Sequence, residues 1–509
     1  MIRLAVLLSV LATACGGSHD TPTSSDPDAS PDTAQTDVST ALTDDGPVHG
    51  TISNDLVIWK GIPYAQADRW MPPARPTAWT TALEASDFGP ACPQANHDDL
   101  PQAEACLTVN VWAPSDRSTS HPVLVYIHGG GYVEGSARDP GYDGATLTHD
   151  TGAVVVTIQY RLGLLGYLAM TELQSPDGGI GNFGLRDQIF ALGWVHRNIA
   201  AFGGDPSRVM LSGESAGGAA VCTIVGAPSA QGLFTAASIQ SGPCRAVLDV
   251  HNPTGTFPAT ETFGTAIATQ LGCTTNIATC LRGKTTAELL GVALPVYYDL
   301  GIAISATFPV VDGVTLVERP FAALQHLDAP LIIGSNREDG GAFTYMDGDT
   351  AGSFDAYVHA IGQDSHKAQL DAAYPVGTMG ELGAIVALST DLAFACNVAL
   401  AAYLHHGPTY AYELDRGIPN GPLQFLHATH GWDYVDLFGT FTAWGATATA
   451  DDLAVSTEIQ HAWIGLANGQ APWTPTPGSF HQLDSPSTTG TEWRGNRCTT
   501  LANLGMLGN

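Results

Sequence analysis

Lysine is nearly absent from this chain, standing only at Lys60, Lys284 and Lys367. With 19 lysines and arginines against 49 acidic residues, the formal net charge is −30. A field of that sign repels polyanions, which argues against nucleic acid or an anionic membrane surface as a direct partner. It suits the solubility of an exported protein and does not by itself call for a cationic substrate. None of the nine cysteines shows C-x-x-C spacing, so a zinc site has no support. After the first fifteen residues no stretch reads as a membrane span, and beyond residue 45 there is neither a repeat nor a long linker.

What is present begins with a processing segment. Met1-Ile-Arg3 forms a short basic start and Leu4 to Leu11 an apolar core, followed by Ala12-Thr13-Ala14-Cys15. The apolar core is too short to span a bilayer and fits a signal peptide over 1–15. A cysteine directly after the small residues resembles a bacterial lipobox, which implies cleavage before Cys15 and lipid attachment to it. An ordinary secretory signal with an incidental cysteine is the alternative. Residues 16–45 are rich in Ser, Thr, Asp and Pro and are expected to be a disordered tether. The expected place of the protein is therefore a cell surface or outer membrane, through lipid alone, or else free secretion.

Eight cysteines remain, an even number that suits an oxidising compartment. Cys92 and Cys106 bracket one short loop, Cys273 and Cys280 another, and both pairs are disulfide candidates. Cys222, Cys244, Cys396 and Cys498 allow three connectivities, among them 222–244 with 396–498.

Residues 46–509 read as one α/β domain. Apolar runs at Val123–Ile127, Ala153–Gln159, Arg208–Leu211, Ala237–Gln240, Leu331–Gly334 and Tyr410–Tyr412 alternate with helical stretches such as Leu185–Phe202. That alternation predicts a mostly parallel sheet covered on both faces. The segment from about Pro253 to Ala306 is predicted helix-rich, a cap over one end of the sheet.

Within this frame Val209-Met-Leu-Ser-Gly-Glu-Ser-Ala-Gly-Gly218 carries the most information. A strand enters Gly213-Glu214-Ser215-Ala216-Gly217 and a helix leaves it, the pattern that presents a serine on a strained turn. A serine hydroxyl needs a base, and the base a carboxylate to orient it, which in this architecture follow in the order acid, then histidine. The strand Pro330 to Asn336 runs into Arg337-Glu338-Asp339-Gly340, which supplies acids at a strand's C-terminal end. Farther on, His427 and His430 lie in Phe425-Leu-His-Ala-Thr-His-Gly-Trp-Asp433. After an apolar strand, His128-Gly129-Gly130-Gly131 can offer unobstructed amides to an oxyanion, and the amide of Ala216 would be the other donor.

These segments resemble the type-B carboxylesterase/cholinesterase family, over essentially all of residues 46–505. Further matches are Lys60-Gly-Ile-Pro-Tyr-Ala65, Glu104-Ala-Cys-Leu-Thr-Val-Asn-Val-Trp112, Gln159-Tyr-Arg-Leu-Gly163, Gly181-Asn-Phe-Gly-Leu-Arg-Asp-Gln188, Phe202-Gly-Gly-Asp-Pro206 and Pro309-Val-Val-Asp-Gly313. The resemblance implies an α/β-hydrolase fold, Ser215 as nucleophile, His430 as base, and Gly130, Gly131 and Ala216 as oxyanion donors. It also implies an acid immediately before a glycine, hence Asp339, with Glu338 in reserve. The family usually has glutamate there, one methylene longer. Glu214, Ser241 and Asp433 are implied as supports around the histidine. Arg161 with Asp187, and Arg69 with Glu104, resemble the family's ion pairs, and Cys92–Cys106 its N-terminal disulfide loop. His427, His128 and His196 read as structural.

In cholinesterases that loop carries a tryptophan which stacks on the quaternary ammonium. Here it holds no aromatic residue, so a cation–π site of that kind is absent. The reading is a serine carboxylesterase of uncharged esters, working through an acyl-enzyme with no cofactor or metal. A lipase is the alternative among enzymes, and a non-catalytic interaction module the alternative outside them.

Overall fold

The computed structural model describes residues 37–507 except 96, 98, 246, 254–257, 295, 299–302, 306, 347–351 and 476–478. The signal-like segment with Cys15 therefore lies outside the described residues. The unit that holds the fold runs from Val38 to Asn509, so residues 38–45 belong to it and not to the tether expected over 16–45. Within its anticipated last residues a strand, Thr40–Leu42, pairs antiparallel with Pro47–His49, and Ala41 and Asp45 are buried. Ser, Asp and Pro density marked the segment as polar, but Ala41 is buried and Arg75 donates to Asp45 at 2.9 Å, which docks its end.

Eleven strands form the main sheet. In chain order they are β1 Thr51–Ser53, β2 Leu56–Pro63, β3 Thr108–Pro114, β4 His121–Ile127, β5 Val154–Ile158, β6 Gly204–Glu214, β7 Ala236–Gln240, β8 Leu331–Asn336, β9 Thr409–Leu414, β10 Phe480–Leu483 and β11 Thr488–Gly490. Their spatial order is β11-β10-β9-β8-β7-β6-β4-β5-β3-β2-β1. From β10 through to β5 every neighbouring pair is parallel, while β1, β2, β3 and β11 add antiparallel edges. The six apolar runs read from the sequence fall on β4 to β9, six of the seven parallel strands, and miss β10. The outermost strands β1 and β11 are largely exposed and polar, and so carry no apolar run to mark them.

Six helices matter for the site: α1 Phe183–Asn198, α2 Ala216–Ile224, α3 Val376–Thr390, α4 Cys396–Leu404, α5 Trp432–Phe438 and α6 Ala450–Ala467. Alternation along the strands sorts their side chains to two faces. From β4, Val123, Val125 and Ile127 join one apolar core, and Leu124 and Tyr126 the other. A third cluster gathers around α3 and includes Cys396 and Leu501. The helical run Val376–Leu404 is apolar and long enough to cross a membrane by composition, against the expectation from sequence, yet 89% of its window is buried in this fold. It is a core element here.

The 253–306 region contains helices Thr260–Gln270, Ile277–Arg282 and Thr286–Leu290 as expected, and also a short strand pair, Val296–Tyr298 with Ala303–Ser305. Four disulfides are formed: 92–106, 222–244, 273–280 and 396–498. The 222–244 bridge ties α2 to the turn after β7. The 396–498 bridge closes 102 residues, and loop-closure entropy alone makes such a crosslink worth up to about 4.7 kcal/mol.

Both ion pairs are present. Arg161 grips Asp187 with two bonds of 2.7 Å, and both side chains are buried. Burial raises the Asp187 carboxyl, against the pull of Arg161. Arg69 binds Glu104, with Nε–Oε2 at 2.7 Å, and here Arg69 and Thr286 draw the Glu104 carboxyl down against burial.

Candidate active site

The strand–turn–helix around Ser215 has a physical signature. Ser215 stands at φ 59°, ψ −124° between β6 and α2, a region that costs a non-glycine residue of order 1–3 kcal/mol. The neighbours explain why it persists. A Cβ at Gly213 would lie 2.5 Å from the Gly217 carbonyl carbon, and one at Gly217 would strike the Ile127 carbonyl. The Ser215 amide donates to the Gln240 carbonyl at 2.9 Å, which pins the turn to β7. The serine thus sits at the N-terminus of α2, where unsatisfied amides favour negative charge.

The glycine run after β4 comes up against this turn. A Cβ on Gly129 would lie 2.9 Å from Ser215 Cβ, so only glycine allows the approach. Gly130 and Gly131 take φ 104° and 60°. The Gly130 carbonyl accepts from the amides of Val133 and Glu134, both at 3.0 Å. Among the described residues nothing accepts from the amides of Gly130, Gly131 or Ala216, as an oxyanion site requires.

From the other half of the chain, His430 Nδ1 lies 2.9 Å from Asp339 Oδ1. The Asp339 carboxylate is fully buried. Its second oxygen accepts from the Ser241 hydroxyl at 2.8 Å and from the Asn336 amide at 2.9 Å. Glu338 turns elsewhere: its backbone bridges to Thr429 and its carboxylate accepts from the Ala428 amide at 3.3 Å. On the far side of the imidazole, Nε2 lies 3.2 Å from Glu214 Oε1, the residue immediately before the serine. That contact lacks hydrogen-bond geometry and leaves Nε2 without a partner. Asp433 stands behind the acid, with its oxygens bonded to Tyr412 OH at 2.6 Å and to Asn336 Nδ2 at 3.3 Å.

The buried carboxyl groups of Glu214 and Asp433 and the imidazole of His430 shift one another. Burial pushes the Glu214 carboxyl up to about 8, opposed by His430 and helped by Asp433 and Asp339. Burial pulls the imidazolium down, but Glu214, Asp339 and Asp433 outweigh it and carry His430 up to about 9. Asp433 is raised to about 6, by burial first and then by Asp339.

The other histidines stand apart from this cluster. His128 is buried, stacks on Tyr160 at 4.4 Å and bonds the Gly129 carbonyl; burial holds it down at about 4. His427 and His196 are exposed. Sequence reasoning missed Phe343 and Phe394, whose rings lie 4.9 and 4.5 Å from the His430 ring. Phe343 lies four residues beyond Asp339 in the helix Gly341–Met346 that follows the acid loop, a closeness in sequence that could have drawn attention. Phe394 carried no local signal.

A serine on a strained strand-to-helix turn, a buried Asp–His pair and a run of open amides, all on a mostly parallel sheet, define an α/β-hydrolase. The Carboxylesterase family model matches residues 34–494, and the chain belongs to that family. It is 34% identical over 454 residues to the para-nitrobenzyl esterase of Bacillus subtilis, covering 84% of this chain and 89% of the relative. It is 31% identical over 479 residues to the fumonisin B1 esterase of Sphingopyxis macrogoltabida, covering 86% and 84%. A solved PNB esterase structure superposes with a TM-score of 0.77 at 29% identity, covering 91% of this chain and 99% of that one.

Proposed function

We propose that this chain hydrolyses uncharged carboxylic esters, with Ser215 as nucleophile, His430 as general base and Asp339 as the acid that orients it. One observation carries the assignment: the Asp339–His430 bond of 2.9 Å turns the ring so that Nε2, without a hydrogen-bond partner among the described residues, lies beside Glu214, the residue next to Ser215. In this reading Nε2 takes the Ser215 proton as Oγ attacks the ester carbonyl. The amides of Gly130, Gly131 and Ala216 receive the oxyanion. His430 then returns the proton to the departing alcohol, and water activated at the same nitrogen releases the acid from the acyl-enzyme. Every part is supplied by side chains and amides, so the reading assigns no role to a cofactor.

Ser215→Ala tests it. Loss of the nucleophile in such triads lowers kcat by about 10⁶-fold, and labelling by a fluorophosphonate should vanish while the far-ultraviolet spectrum stays unchanged. A folded variant that keeps a tenth of the activity would overturn the assignment. A p-nitrophenyl series from acetate to palmitate separates short-acyl esterase from lipase behaviour.

From the apolar Leu4 to Leu11 run and Ala12-Thr13-Ala14-Cys15 we further propose that the mature protein lies outside the cell, held by lipid on Cys15 through the polar segment that follows. Stable anchoring takes more than one acyl chain, as a bacterial lipoprotein carries. Mass spectrometry of the mature N-terminus decides between this and free secretion: an unmodified N-terminus with activity in the culture supernatant excludes the lipid.

A further inference from the structure

α3 and α4 are one continuous helical run broken by a π-helical turn, Asp391–Ala395. Such turns widen a helix locally and occur disproportionately at functional sites. This one lies against the acid loop. The Thr390 hydroxyl oxygen accepts from the Gly340 amide at 2.8 Å, and both partners are buried. A Cβ at Gly340 would lie 2.7 Å from the Thr390 amide nitrogen, so the glycine after the acid is required by the closeness of this helix. From the same turn, Phe394 packs on the His430 ring at 4.5 Å.

The other end of the acid loop is held from the C-terminal segment. Arg494 is 5% exposed at its side chain and donates from Nη2 to the carbonyls of Arg337 at 2.8 Å and Asn336 at 3.2 Å. Its Nε lies 3.1 Å from Glu413 and 3.4 Å from Asp391. Asp391 is further held by Arg497 Nε at 3.1 Å and by Tyr374 OH at 2.9 Å. The turn that touches Gly340 and His430 is thereby tied to the arginine that clasps Asn336 and Arg337. Asn336 in turn donates its amide to the Asp339 carboxylate at 2.9 Å.

We propose that Thr390 and Arg494 are positioning residues for Asp339, clamping the acid loop at residue 340 on one side and at residues 336–337 on the other. The inference rests on Asp339 being the acid of the triad. An aspartate reaches less far than a glutamate, so its loop must sit close to the imidazole and stay there. Angstrom-scale misplacement of such a group costs up to about 10²-fold in rate.

The test compares Thr390→Val, Thr390→Ser and Arg494→Lys with Asp339→Asn in the full chain. Valine keeps the shape of threonine but strands the Gly340 amide, whereas serine restores the acceptor. Lysine keeps the charge, but its single nitrogen cannot serve at once the two carbonyls reached by Nη2 and the carboxylates beside Nε. The expected result for Thr390→Val and Arg494→Lys is a fall in kcat of about tenfold or more, with KM within about twofold. Thr390→Ser should match wild type. The acid limb of kcat/KM should also move to lower pH in the two impaired variants. Asp339, Glu214 and Asp433 all raise the base, and a loosened Asp339 raises it less. General destabilisation would not shift that limb. Wild-type kcat and limb in folded Thr390→Val, or equal impairment by serine and valine, would overturn the role of Thr390. If the valine variant does not fold, Arg494→Lys decides alone: a wild-type limb overturns the clamp. Retained activity in Asp339→Asn would instead remove the underlying triad assignment.

Discussion

Asp339→Asn is a nearly isosteric change whose consequence follows from which donors surround the side chain. One oxygen of Asp339 receives the Ser241 hydroxyl and the Asn336 amide, and the other receives His430 Nδ1–H. An asparagine must keep its carbonyl oxygen on the side with two donors, because turning its NH₂ there would face it into the backbone N–H of Asn336. The NH₂ then points at His430 Nδ1, which has to become an acceptor. The ring proton moves to Nε2, the nitrogen that must accept the Ser215 proton. A base locked in the wrong tautomer lowered kcat about 10⁴-fold in another serine triad, equivalent to about 5.4 kcal/mol at about 1.36 kcal/mol per decade. The assay is hydrolysis of p-nitrophenyl acetate normalised to folded protein by circular dichroism. Glu338→Gln is measured beside it and should lose less than about tenfold, since Glu338 contacts the Ala428 amide and not the imidazole. Asp339→Asn retaining more than a hundredth of wild-type kcat/KM, or Glu338→Gln falling as far, would refute the reasoning.

Glu214→Gln removes the neighbour that does most to raise His430. The base works only when neutral, so activity rises with pH through its folded value; lowering that value moves the acid limb of the kcat/KM profile to lower pH, and an unmoved limb would refute the linkage. Asp436 offers a stability test away from the chemistry. It is fully buried with neither carboxylate oxygen hydrogen-bonded, and burial, then Asp452 and Asp433, push its carboxyl well above the ordinary range. The folded chain therefore keeps a proton that the unfolded chain releases near pH 4, and stability falls as pH rises, by up to about 1.4 kcal/mol per unit for one proton. Asp436→Asn removes that slope, so its melting temperature relative to wild type should climb between pH 5 and pH 8; a constant difference would exclude the effect.

Much of this molecule was legible in its residue order because the determinants are local. The elbow needs small residues at fixed offsets from Ser215, the oxyanion loop needs glycines directly after a buried strand, and doubly buried strands appear as unbroken apolar runs. The short cysteine loops 92–106 and 273–280 close for the same reason. What tertiary structure alone decided depends on direction and on partners distant in sequence. Glu338 and Asp339 are adjacent acids on one turn, and composition cannot say which faces His430; the bridge between Glu338 and Thr429 commits the first to the backbone and leaves the second to the imidazole. The bridge from Cys396 to Cys498 and the pairing of residues 40–42 with 47–49 likewise depend on surfaces that exist only after folding. Thr390 and Arg494 have no motif at all: each meets the acid loop because α3 and the C-terminal segment arrive beside β8, an encounter set by packing across sequence separations of 50 residues and 157 residues.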